Sequence, residues 1–113
     1  EDVGPAEAEQ LLADWQPDVI SAHCPPPWWL ELASKAGVPF VETLHGMHDL
    51  YGNDWADEAL RSSTKAHVIA VSELVRQQYL HGNPGFDPAR ITTVPNSVDP
   101  DRIAQVDRQR ARE

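Results

Sequence analysis

Two rhythms of apolar and polar positions alternate along the chain, short runs of β type and longer stretches of helical spacing. Val19-Ile20-Ser21-Ala22-His23, Phe40-Val41-Glu42-Thr43-Leu44, His67-Val68-Ile69-Ala70-Val71 and Ile91-Thr92-Thr93-Val94 are rich in β-branched and apolar residues, with Pro or Gly near most of their ends. They read as four strands. Between them lie helical patterns. Pro5 to Gln16 carries Ala8, Leu11, Leu12 and Trp15 on one stripe. About Trp28 to Ala36 stacks Trp29, Leu32, Ala33 and Ala36 and stops at Gly37, a residue suited to a left-handed cap. Asp54 caps a helix to about Lys65 whose apolar side is Trp55, Ala56, Ala59, Leu60 and Ser63. Ser72 caps another with Leu74, Val75 and Tyr79 on its stripe. Asp87-Pro88 supplies a cap and first-turn proline before the fourth strand, and Asp101 to Arg112 reads as a last, weakly apolar helix.

Strands that alternate with helices of this length point to right-handed βαβ crossovers. The expected fold is α/β, a parallel sheet of about four strands with helices on both faces. Such crossovers bring all strand tips to one edge, where ligands of open α/β sheets bind. His23, His45 with His48, Ser72 and Asn96 then share a rim, and Gly46 lets the backbone turn sharply at the end of the second strand.

Composition narrows the chemistry. Nine Lys and Arg against eighteen Asp and Glu give a net charge of −9, which repels phosphate backbones and makes nucleic acid an unfavourable partner. Glu1 to Asp14 and Glu42 to Glu58 each hold five acids and no base, read as solvated faces. A single cysteine, Cys24, forms no internal disulfide. With no signal peptide and no membrane-spanning stretch, the expectation is a soluble, cytoplasmic chain, and its 113 residues are short for a complete α/β enzyme.

Other chemistries are weaker. His45-x-x-His48-Asp49 could form a metal cluster, but Gly46 argues against the helix that the familiar two-histidine motif needs. Cap-plus-proline geometry explains Asp99-Pro100-Asp101 without a cation. Ser72 lacks a nucleophile elbow, and no glycine-rich phosphate loop occurs. Trp28, Trp29 and Trp55 read as helix packing ahead of a sugar-stacking platform.

Four blocks, Pro17 to His23, Gly37 to Gly46, Val68 to Glu73 and Pro95 to Asp99, resemble in order and spacing the second half of the N-terminal domain of retaining glycosyltransferases of family 4. The resemblance implies a Rossmann-like domain of the GT-B fold facing a second domain across a cleft. Residues 1–99 would be the partial N-terminal domain and 100–113 a helical segment leading towards the C-terminal domain. It implies a nucleotide-sugar donor, an acceptor held mainly on this side, and transfer without a cofactor or essential metal. His45 matches the histidine that approaches the donor sugar and is the catalytic candidate. His23, Gly46, Ser72 and Asn96 are the substrate-binding candidates. Ser97 stands where the family more often has glycine.

Neither the family's opening strand with its glycine-rich turn nor its donor domain falls in these residues, so the expectation is a fragment inactive by itself. The full-length parent would be cytoplasmic, with peripheral membrane association open to it. The first strand, lacking a neighbour, would have an edge liable to self-association. Two alternatives stand beside this reading: a non-catalytic α/β interaction module, and a metalloprotein using His45, His48 and Asp49.

Overall fold

A computed structural model describes residues 3–48, 52 and 54–100. Within them run α1 (Pro5–Trp15), β1 (Ile20–His23), α2 (Pro27–Ala36), β2 (Phe40–Leu44), α3 (Trp55–Ser62), β3 (His67–Ala70), α4 (Glu73–Gly82), a 3-10 turn (Pro88–Arg90) and β4 (Ile91–Thr93). The anticipated helix from Asp101 to Arg112 lies outside the described residues, as do Asp49, Tyr51 and Asn53.

The local signals act as their chemistry requires. Asp54 accepts from the Ala56 amide at 2.8 Å, Ser72 from the Val75 amide at 3.2 Å and Asp87 from the Ala89 amide at 2.9 Å. Each satisfies a backbone donor that a helix start leaves open. Gly37, at φ +70°, closes α2 with its amide on the carbonyls of Ala33 and Ser34. A side chain there would meet strain in the left-handed region.

All strand pairs are parallel and the order is β1-β2-β3-β4. The register pairs Ile20 with Phe40, Glu42 with Val68, Leu44 with Ala70 and Val68 with Ile91, so these side chains share one face. Two apolar clusters form on it. One joins Leu30 and Ala33 of α2 to Phe40, the other Val75 and Tyr79 of α4 to Leu44, Val68, Ala70, Phe86 and Ile91. Both helices therefore lie on the same side of the sheet. Between them α3 reaches that face through Glu58, which Lys65 links to Glu42 of β2. Helix α1 packs on α2.

This arrangement corrects one part of the expected architecture. Four parallel strands are present, but helices on both faces are not seen among the described residues. Right-handed crossovers that always step the same way across a sheet deposit every connecting helix on one side. The second face carries Ser21, Val41, Thr43, Ile69 and Thr92, and none of them joins either apolar cluster.

Helix faces differ from their sequence stripes as well. On α3 the buried residues are Glu58 and Ser62, whereas Leu60 is 76% exposed. On α1 only Ala8 is buried and Trp15 is 75% exposed. Leu74 of α4 also points outward. A polar network claims the inner face of α3, and an apolar count cannot register it.

Candidate functional site

The C-terminal ends of the strands converge as the topology requires. β1 ends at His23, opposite Thr43, and β2 continues into His45. Immediately after His23 the chain turns through Cys24 at φ +48°, a left-handed conformation that costs a non-glycine residue about 1–2 kcal/mol. The turn leads into Pro25, Pro26 and α2, so the ladder ends at His23.

His23 Nδ1 and His45 Nε2 lie 2.7 Å apart, with ring centroids 5.0 Å apart and planes inclined by 33°. A neutral imidazole has one N–H and one bare nitrogen, so one ring donates and the other accepts. The contact restrains the orientation of both rings and couples their tautomers: if His23 donates, the outer N–H is on His45 Nδ1, and if His45 donates, it is on His23 Nε2. It leaves His23 Nε2 and His45 Nδ1 as the ring nitrogens outside the pair, and both residues are exposed. The pair can hold, orient and pass a proton, and it can donate to an oxygen brought to the rim.

The other predicted residues are placed with less chemistry. Gly46 follows at the bend, half-buried. Ser72 is committed to capping α4. Asn96 is exposed, three residues beyond β4. Glu73, the first residue of α4, is a rim group that the site reading passed over: its Oε2 accepts from Thr93 Oγ1 at 2.9 Å and its Oε1 from Arg76 and Gln77 at 3.3 Å. The Thr93 bond leads in holding its carboxyl below the usual carboxylate range, with Gln77 and Arg76 adding to it. It ties α4 to the end of β4.

His48 goes elsewhere. It is buried, its ring 4.4 Å from that of Trp55 and edge-on to Tyr79, with its amide on Gln78 Oε1 at 3.2 Å. One histidine thus pairs with His23 at the rim while the other enters the helical side. Asp49, third member of the metal alternative, lies outside the described residues, and no group of three His, Cys, Asp or Glu is placed to hold a metal among the described residues. The tryptophans pack as expected: Trp28 stacks on Trp29 at 5.2 Å and Trp55 sits against Tyr79.

Around His48 lies a polar network that the sequence disguised as solvated acids. Lys65, 3% exposed, bridges Glu58 Oε1 and Glu42 Oε2, the latter at 2.6 Å. The Tyr79 hydroxyl donates to the same Glu58 oxygen, and Arg61 lies 3.4 Å from the other. Burial alone would raise the Glu58 carboxyl, but the Lys65 charge and the Lys65 and Tyr79 hydrogen bonds outweigh it and hold it below the ordinary range. Burial, with the Glu58 charge beside it, pushes the Tyr79 phenol up. Burial lowers the His48 imidazole, partly offset by Glu58.

No helix among the described residues is long and apolar enough to cross a membrane. No curated protein matches the chain. The family model described as Glycosyltransferase Family 4 matches residues 4–102, nearly the whole length, and the chain belongs to that family.

Proposed function

We propose that the chain forms the acceptor-side half of the cleft of a retaining glycosyltransferase, which moves a sugar from a nucleotide-sugar donor to an acceptor. The observation that carries this reading is the His23–His45 pair at the C-terminal edge of β1 and β2, in a chain of a family whose members act on sugar donors and acceptors. His45 is the catalytic residue and His23 positions it. The Nδ1 of His45 donates to an oxygen of the donor sugar, and the chemistry is positioning plus electrostatic stabilisation of an oxocarbenium-like state. Gly46, Ser72 and Asn96 line the substrate side of the rim. No cofactor or metal enters the proposed reaction, and residues 100–113 lead to the domain that holds the nucleotide.

Completion by that second domain is part of the proposal, so the chain alone does not transfer sugar. The test compares this chain with a protein extended through a C-terminal donor domain, each assayed with a panel of nucleotide sugars, with anomeric configuration read by NMR. Transfer with retention by the extended protein and none by the chain supports the reading. Inversion, or turnover by the chain alone, contradicts it.

A further inference from the structure

Between α2 and α3, on the opposite face of β2 from the histidine pair, lies a cavity of about 150 Å³. Phe40, Glu42 and Leu44 of β2 form its floor, and Cys24, Pro26 and Pro27 stand exposed at its mouth. His48, Glu58, Arg61 and Lys65 supply its polar wall. His48 is 5% exposed, and its Nε2 is buried with no hydrogen-bond partner. A buried polar nitrogen left unpaired costs about 1–3 kcal/mol unless something else meets it.

The charges in the wall narrow what that something is. Lys65 and Arg61 balance Glu42 and Glu58, so neither an anion nor a cation gains a net field there. The Lys65 ammonium already occupies the place between the two carboxylates that an amine or metal ion would take. A wholly apolar guest would leave His48 Nε2 unpaired. What remains is a small neutral molecule with several hydroxyls: carboxylate oxygens to accept, Arg61 to donate, His48 Nε2 to meet a hydroxyl as donor or acceptor, and Leu30, Phe40 and Leu44 against its C–H faces. The space exceeds roughly tenfold the 10–15 Å³ needed for one water.

We infer that this interhelical cavity is a binding pocket for a small neutral polyol, separate from the histidine rim. It does not depend on the transfer reading.

Cys24, the chain's one cysteine, reports on the mouth. The full 113-residue chain is alkylated at Cys24 with a maleimide in the presence of glycerol, myo-inositol or glucose, with inorganic phosphate and butylammonium as charged controls. One polyol is expected to slow alkylation saturably, roughly tenfold at ten times its Kd, and to shift the imidazole nitrogen signals of His48 in NMR. Arg61→Met weakens the protection and leaves the far-ultraviolet circular dichroism unchanged; should that variant not fold, Glu42→Gln serves in its place. Protection by phosphate or butylammonium instead overturns the proposal. So do alkylation rates and His48 signals unmoved by every polyol, which would mean water alone fills the cavity.

Discussion

Replacing Lys65 by methionine removes the buried charge shared by Glu42 and Glu58, leaving Arg61 at 3.4 Å from Glu58 as that carboxylate's remaining cation among the described residues, while keeping most of the side-chain volume. Lys65 and Glu58 are each 3% exposed, and Glu42 is half-buried. Water therefore does little to replace the lost ammonium. Breaking a buried pair on one side costs about 3–5 kcal/mol, a large share of the roughly 5–15 kcal/mol that holds a domain of this size. The sign of the pH response changes too. In the wild type the Glu58 carboxyl is held below its unfolded value of 4.5, so its contribution is present above that pH and fades as pH falls through the folded value. Without Lys65, burial dominates and raises the carboxyl, the folded state takes up the proton first, and stability rises as pH falls. Urea denaturation followed by circular dichroism at pH 7 and near pH 5 reads both effects. Lys65→Met should lose most at pH 7 and recover part of the loss on acidification, while adding Glu42→Gln and Glu58→Gln should restore most of it. A variant within about 0.5 kcal/mol of wild type at pH 7, the range of ordinary surface substitutions, would show that Lys65 does not hold the two carboxylates in the fold.

Further outcomes follow from the same geometry. His48 is held below its usual value of 6.5, so it remains neutral in the fold, and stability falls as pH drops from 6.5 through the folded value; His48→Gln should erase that phase of an acid titration and leave the lower one belonging to Glu58. Leu60→Glu should change the unfolding free energy, read by urea denaturation, by no more than about 0.5 kcal/mol, because Leu60 is 76% exposed, whereas truncating a core leucine to alanine would lose about 2–5 kcal/mol. Gly82→Ala should destabilise by about 1–3 kcal/mol despite better helix propensity, since a Cβ there would meet the Trp55 ring at 2.2 Å; calorimetry showing a gain would contradict this.

The strands were readable because apolar, β-branched runs punctuated by Pro and Gly have few other solutions, and Asp54, Ser72 and Asp87 announce their caps by side-chain chemistry alone. Shared placement of His23 and His45 on one rim followed from parallel topology. Their 2.7 Å contact did not, because it depends on adjacent pairing of β1 with β2 and on the turn at Cys24. The inner face of α3 was misread for a related reason: Glu58 is neutralised by Lys65, seven residues on and past the helix end, and Lys65 in turn by Glu42 on a strand. Charge runs in one dimension hid a pairing made in three. Helices on both faces would need a reversal of strand order, and no local pattern marks where that occurs.

On the proposed function, the histidine at the tip of β2 acts on the sugar while the histidine three residues on does not. In the extended, donor-domain-containing protein, kcat for transfer should fall by about two to three orders of magnitude in His45→Ala and remain within a few-fold of wild type in His48→Gln. Equal losses in both, or an unchanged kcat in His45→Ala, would contradict it.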